Sequence, residues 1–220
     1  MKSSFPIRCK CGHEMVLETT GTQSFNDTYC PKCRSAIWIF DSGFVSTRIF
    51  NKSWMELHSG DFTLAIIFSA MAVECELARV FVKWKEIDLG VPADVTQSDR
   101  DSWDAELRRW VKIAVRLDKV CEFITGQDFD AFVANQGKLS KSIQERHPDS
   151  AGCSSFKKFF EEQLFWKRNV VVHLGKIDFG QSDAEVCRRT AETLFQIITE
   201  MDFLRLRRLD AEHKALGLTT

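Results

Sequence analysis

The stretch DFTLAIIFSAMAVECELARVFVKW, residues Asp61 to Trp84, decides the fold of this chain. Its larger side chains recur every three or four positions, which is the period of one face of an α-helix. Asp61 follows Ser59 and Gly60 and is well placed to cap the first turn. The pattern therefore predicts a long helix whose buried face consists of Phe62, Ile66, Ser69, Val73, Leu77, Val80 and Trp84.

Two carboxylates interrupt this apolar stretch, Glu74 and Glu76. An ionised carboxylate on a buried face is costly unless a partner neutralises it. We expect Glu76 to face solvent or to pair with Arg79 or Lys83. Glu74 is either a surface acid or the partner of a cation from another helix.

The chain from residue 51 to residue 220 is poor in Gly and Pro and keeps a helical period. It predicts an all-α, up-down helical bundle. The other helices are expected at about 51–58, 100–124, 129–146, 154–174 and 182–212, with stops at Gly126, Pro148 and Gly175. Arg205, Arg207 and Arg208 near the end suit a helix C-terminus better than a phosphate site.

The first 50 residues carry two close pairs of cysteines, Cys9 with Cys11 and Cys30 with Cys33. Four thiolates at this spacing can converge on one Zn²⁺ ion with tetrahedral geometry. A redox dithiol or an iron half-site is the alternative for the second pair alone. His13 is an alternative ligand to Cys11, although four sulfurs already complete a site.

Short alternating segments accompany these cysteines and predict a small β zinc ribbon over residues 1–50, followed by the helical domain over residues 51–220. A head of this size buries little surface, so a structural zinc ion would supply much of its folding free energy. The expected strand segments are 15–17, 24–26, 36–40 and 44–50.

Composition bounds the class of protein. A net charge of -1 excludes a globally basic nucleic-acid binder but leaves room for a local basic patch. No apolar run reaches the roughly 18 residues that a membrane span requires, and MKSSFPIRCK lacks the apolar segment of a signal peptide. We therefore expect a cytoplasmic protein without membrane contact.

The four scattered cysteines are expected to be buried thiols: Cys75, Cys121, Cys153 and Cys187.

A second polar cluster lies at the end of an apolar helix, where Arg168, Asn169 and His173 precede Gly175. Guanidinium, amide and imidazole together can hold a phosphodiester and transfer its proton. The spacing from Arg to His alone is weak, because Arg8 with His13 and Arg208 with His213 repeat it. The helical context distinguishes the middle copy, since Asn169 and His173 are four residues apart and share a face.

The segment LFWKRNVVVHLG, residues 164–175, followed by Asp183 and Ala184 at the start of a last long helix, resembles the HEPN superfamily. The signature of that superfamily is Arg-Asn-x-x-x-His near a helix end. The segments 60–62, 65–67 and 72–74 also resemble its first long helix. The resemblance covers roughly residues 51–215.

This resemblance implies an all-α bundle that forms a homodimer with a composite, metal-independent ribonuclease cleft. His173 would then act as general base or acid on the ribose 2′-hydroxyl and the leaving oxygen, Arg168 would hold the scissile phosphate, and Asn169 would orient either one. Glu74 is the candidate for an acid from an earlier helix. The expected function is an endoribonuclease, as a toxin or defence effector, whose ribbon aids RNA binding or assembly. The alternative is a non-catalytic module that binds a nucleotide, RNA or protein; the sequence identifies no antitoxin.

Overall fold

The long helix predicted from the apolar stretch is α2 (Phe62–Asp88), and several other helices pack against it. The Asp61 carboxylate accepts a hydrogen bond from the Leu64 amide at 2.9 Å, so the predicted N-cap is confirmed. Six of the seven predicted core positions are buried, and Phe62, at the first turn, is partly buried. The periodicity of the sequence therefore identified the central element and its buried face.

The computed structural model describes residues 2–8, 14–20, 32, 44–89, 95–175 and 178–215. This part of the chain is mainly α-helical, as the sequence predicts. The helices other than α2 are α1 (Val45–Ser59), α3 (Gln97–Arg109), α4 (Ile113–Thr125), α5 (Phe129–Asn135), α6 (Gly137–Arg146), α7 (Phe156–Phe160), α8 (Lys167–Leu174) and α9 (Gln181–Ala215).

Side-chain contacts fix the directions of the helices that surround α2. Trp84 Nε1 donates to Asp202 at 2.7 Å, and Arg205 pairs with Asp88 at 2.5 Å, so α2 and α9 run parallel. Helix α1 runs antiparallel to α2, because the two are joined at Gly60. The start of α2, the start of α9 and the end of α1 therefore lie at the same end of the bundle.

The prediction of a strand at residues 44–50 is wrong. Residues 45–50 form the first part of α1, before the predicted domain boundary at residue 51. The alternation of this segment also fits a helix face that buries Ser46, Thr47 and Phe50, and the Phe50 ring packs on Phe195 with centroids 5.2 Å apart. Tertiary burial overrides the local strand propensity of its β-branched residues.

Two predicted helices are each divided in two. The helix expected at 100–124 is interrupted at Trp110–Lys112, where Arg116 Nε donates to the Trp110 carbonyl at 2.7 Å. The helix expected at 129–146 is interrupted at Gln136. The break at Trp110–Lys112 contains neither Gly nor Pro, so no local signal marks it, whereas Gly137, directly after Gln136, was an available signal for the second break. The predicted stop at Gly126 is confirmed by its left-handed φ of 77°.

Arg205 and Arg208 do bind helix carbonyls, but those of another helix. Arg205 Nη1 donates to Phe123 O at 2.7 Å, and Arg208 Nη1 donates to Thr125 O at 2.8 Å. Both carbonyls belong to the last turn of α4, where backbone acceptors lack helical partners. These two arginines therefore fix α9 to the end of α4.

The N-terminal segment contributes two antiparallel strands, β1 (Lys2–Arg8) and β2 (Glu14–Thr20), paired from Lys2 with Thr20 to Arg8 with Glu14. The predicted strand at 15–17 lies within β2. The predicted strands at 24–26 and 36–40 lie outside the described residues, as do Cys9, Cys11, Cys30, Cys33 and His13.

The scattered cysteines differ in their exposure to solvent. Cys121 and Cys187 are buried, and burial raises the pKa of each thiol to about 12, so both behave as structural apolar groups. Cys75 is partly buried. Cys153 is exposed, so the expectation of a buried thiol is wrong there.

No helix among the described residues has both the length and the apolar character needed to cross a bilayer.

Helix α6 ends at a buried histidine with an unusual environment. His147 is 3% exposed, its Nε2 lies 3.0 Å from Thr193 Oγ1, and its ring contacts the edges of Phe159 and Phe160. Burial, together with the positive charges of Arg189 and Arg146, lowers the pKa of His147 to about 4, and Asp149 opposes this shift only in part. The folded protein therefore keeps this imidazole neutral.

We predict that the free energy of unfolding decreases as the pH falls from 6.5 towards 4. In that range the unfolded chain binds a proton at His147 that the folded protein excludes, a contribution of up to about 3 kcal/mol. His147→Gln should flatten this part of the pH dependence in urea unfolding experiments. His213→Gln, on the last turn of α9, should leave it unchanged, and an unaltered slope in His147→Gln would contradict the assignment.

Candidate functional site

The helix that carries Arg168, Asn169 and His173 contains a change of helical period. Helix α7 continues directly into a π-helical segment, Glu161–Trp166, and then into α8. Ser155 caps the start, accepting from Lys158 N at 3.1 Å, and donates to Asp130 at 2.6 Å. Isolated π-turns occur frequently at functional sites, because they rotate the residues that follow. Here the π-turn sets the orientation of the motif.

The helix ends where the sequence predicts. Gly175 adopts a left-handed conformation with φ of 64°, and its amide donates to Val171 O at 3.1 Å. A residue with a Cβ is disfavoured in this conformation. His173 therefore lies in the last turn of α8, and its side chain is exposed.

Arg168 is the most constrained member of the cluster. Its Nη1 donates to Asn169 Oδ1 at 2.8 Å, and its Nη2 lies 3.5 Å from Glu74 Oε2 on α2. Its Nε–H is buried and has no hydrogen-bond partner among the described residues. A buried donor without an acceptor is costly in a native protein, and a ligand or ordered water commonly supplies the acceptor.

Of the two alternatives for Glu74, the structure favours a cation partner from another helix, and that partner is Arg168 on α8. The structure brings Glu74, Arg168 and Asn169 into one connected group. His173 follows Asn169 by four residues on the same helix, so the two exposed side chains share a face. Among the described residues, the structure shows no contact between the His173 side chain and the group of Glu74, Arg168 and Asn169.

Glu76 has a different environment from Glu74. It is buried, so the solvent alternative is wrong. Its Oε1 and Oε2 accept from Arg79 at 2.6 and 2.9 Å, and Oε2 also accepts from Ser46 on α1 at 2.7 Å. Glu74 and Glu76 therefore connect α2 to different neighbours. Cys75 lies between them, and burial together with both carboxylates raises the pKa of its thiol.

Two contacts hold the motif helix against α9. Lys167 Nζ donates to Asp183 at 2.9 Å, and Cys187 Sγ lies 3.3 Å from Gln163 O. These pairs run in opposite chain directions, so α8 is antiparallel to α9. The end of α8, with His173, therefore points towards the end of the bundle where α2 and α9 begin.

Large apolar side chains surround the motif on the exposed surface of α8 and the turn before it. Trp166, Val172 and Leu174 are 55%, 49% and 76% exposed. Trp166, Asn169 and His173 are spaced by three and four residues, so they lie along one face of the helix. The surface around the motif is therefore apolar with a few polar groups.

No group of three or more potential metal ligands occurs within the part of the chain that the structure describes. The four cysteines predicted to bind zinc lie outside that part. The zinc site therefore stays a prediction from their spacing.

Sequence reasoning missed a second feature, a cavity near Gly60 that Arg188 of α9 shares with Trp54 and His58 of α1. Nothing in the local pattern distinguishes Arg188 from the neighbouring surface residue Arg189. The spacing of Trp54 and His58, four residues apart, was the available signal, because it puts two rings on one helix face.

Compared with models of known families, with curated proteins and with solved structures, the chain matches none of them. Any function assigned to it therefore rests on its residues and their geometry.

We predict that Glu74 and Arg168 are weakly coupled in stability. Both side chains are about one-quarter exposed, so solvent screens their attraction, and the coupling should be below about 1 kcal/mol. Urea unfolding of Glu74→Gln, Arg168→Met and the double variant measures it as a double-mutant cycle. The pair Glu76 with Arg79, which is shorter and more buried, provides the control and should show a coupling of about 2 kcal/mol. A repulsive coupling between Glu74 and Arg168 would contradict the contact.

Proposed function

We propose that this protein is an endoribonuclease of the HEPN type, which cleaves RNA through the ribose 2′-hydroxyl. The observation that carries the proposal is the group formed by Arg168 and Asn169, near the start of α8, and Glu74, on α2. His173 is exposed in the last turn of α8, on the same helix face as Asn169. This arrangement offers a positive charge for a phosphate and a titratable imidazole one helical turn away.

The proposed reaction is a transesterification. A general base takes the proton of the 2′-hydroxyl, the 2′-oxygen forms a bond to phosphorus, and the bond from phosphorus to the 5′-oxygen breaks. A general acid returns a proton to the 5′-oxygen, which leaves a 2′,3′-cyclic phosphate and a 5′-hydroxyl. Imidazole suits both roles because its ordinary pKa lies close to neutral pH.

Arg168 would bind the scissile phosphate and offset the charge that develops on it. Its Nε–H lacks an acceptor among the described residues, and its Nη2 contact to Glu74 is long, so donors remain for phosphate oxygens. Asn169 accepts from Arg168, which leaves its amide N–H groups free of that bond. The reaction uses no metal ion, because these side chains supply both the charge and the proton transfer.

Each chain has one such histidine, whereas the reaction needs a base and an acid. We therefore propose that two copies pair through the exposed face of α8 and share one cleft. Trp166, Val172 and Leu174 give that face the apolar character that a dimer contact requires. The zinc ribbon would aid RNA binding or assembly, and the whole would serve as a toxin or defence effector.

A non-catalytic binding module is the second candidate. The same exposed apolar side chains, together with a net charge of -1, suit a protein-binding surface as well as an RNA cleft. In that case Arg168 would stay paired with Glu74.

We predict that the purified protein cleaves RNA in the presence of excess EDTA and leaves 2′,3′-cyclic phosphate ends. His173→Ala and Arg168→Ala should each reduce the rate by at least about 100-fold, the usual size of a general acid–base contribution. His213→Ala is the matched control, because Arg208 and His213 repeat the motif spacing. End-group analysis and gel assays measure both effects.

Three results separate the candidates. Equal cleavage by wild type and His173→Ala would contradict the enzymatic proposal. RNA binding without cleavage would favour the module, and a strictly monomeric active protein in light scattering would contradict the shared cleft.

We also predict one zinc ion per chain by elemental analysis, lost on substitution of Cys30 or Cys33 with serine. Such variants should keep the helical circular dichroism signal, because α1 to α9 have their own core. Cys121→Ser, a buried thiol of α4, is the control that should retain the metal. Unchanged zinc content in Cys30→Ser and Cys33→Ser would contradict the site.

A further inference from the structure

A cavity of about 510 Å³ lies where the α1–α2 turn meets the start of α9. Trp54, Leu57 and Phe62 give it an apolar side. Arg188, on the second turn of α9, brings a cation to the same space. The proposed ribonuclease mechanism uses none of these residues.

Arg188 is an arginine held among aromatic rings. Its guanidinium carbon lies 4.5 Å from the centre of the Trp54 ring and 5.5 Å from that of Phe50. The Trp54 ring itself packs against His58, with centroids 3.7 Å apart and the rings tilted by 60°. The guanidinium of Arg188 therefore lies beside aromatic rings and is partly removed from water.

The hydrogen bonds of Arg188 are incomplete. Its Nε–H is buried and has no partner among the residues that the structure describes. Burial lowers the pKa of Arg188, and Glu192, one turn further along α9, only partly offsets this effect. Glu192 is also 3.9 Å from Arg146, so its charge is shared.

Glu185 is an acidic residue that lines the cavity, and its carboxylate already has a hydrogen-bond partner other than Arg188. Glu185 accepts a hydrogen bond from Gln181 Nε2 at 2.7 Å and is exposed. An arginine that is partly removed from water and lacks some of its hydrogen-bond acceptors favours an anion. A carboxylate or phosphate can accept from two N–H groups of the guanidinium at once. The exposed carboxylate of Glu185 would repel a polyanion, so a ligand with a single anionic group fits this cavity better.

We propose that this cavity binds a small organic anion, with a phosphate or carboxylate group on Arg188 and an apolar or aromatic body against Leu57 and Phe62. The volume exceeds what an inorganic ion fills, and pockets for small ligands combine such apolar walls with a few polar groups. The start of the 35-residue helix α9 adds a positive partial charge on the same side.

Isothermal titration calorimetry of the full chain with phenyl phosphate, benzoate and inorganic phosphate tests the proposal. Phenyl phosphate or benzoate should bind, and the tighter of the two identifies the anionic group. Arg188→Gln should weaken that binding by about tenfold or more, because it removes a charge-assisted contact. Arg189→Gln, the adjacent exposed arginine, should leave the affinity unchanged.

Absence of binding by both organic probes up to about 10 mM, where weak small-ligand sites are occupied, would overturn the proposal. Equal affinity of Arg188→Gln and Arg189→Gln for the tighter organic probe, or equal affinity of the wild type for that probe and for inorganic phosphate, would overturn it as well. Nuclear magnetic resonance of the wild type provides a second measurement, independent of variant folding. The tighter probe should shift the Gly60 amide and not that of Gly126, which caps α4 in a similar conformation; shifts at neither or at both would count against the site.

Discussion

Glu74 and Glu76, in the apolar middle of α2, each meet a cation, and their contacts connect α2 to the helices around it. Glu76 is satisfied by Arg79 on the same helix and by Ser46 on α1. Glu74 meets Arg168 on α8. Because a buried charge without a partner is expensive, each carboxylate restricts which helices can pack beside α2 and in what register. The candidate site is thus positioned by the same constraint that keeps the core intact.

The sequence predicted the structure well where the type of a single residue restricts its local surroundings. Asp61 indicates an N-cap, and Gly126 and Gly175 indicate helix ends. Glu74, a carboxylate within an apolar stretch, raised the alternative of a cation partner on another helix. The sequence was uninformative wherever the outcome depends on packing between distant elements. At the start of α1, Ser46 donates to Glu76 of α2 and Phe50 packs on Phe195 of α9, and both contacts join residues far apart in sequence.

The missed features depend on contacts that the local sequence pattern does not show. The break at Trp110 contains neither Gly nor Pro and is held by Arg116. The cavity at Arg188 forms only once α1 and α9 lie side by side, and a single sequence presents that residue as one more surface arginine. The π-turn before Arg168 likewise leaves no periodic signature in six residues.

The strength of the contact between Arg168 and Glu74 bears on what the site can do. A short, fully buried pair would make Arg168 a structural support, because a phosphate that bound Arg168 would leave the buried Glu74 carboxylate without a partner, which is costly. At 3.5 Å and one-quarter exposure the pair is weak, below about 1 kcal/mol. A phosphate that makes charge-assisted bonds to the guanidinium gains more than this, about 1.5–3 kcal/mol for each bond. Arg168 is therefore held in place without a ligand and remains able to exchange Glu74 for an anion, whereas the tighter arrangement at Arg79 would oppose such an exchange.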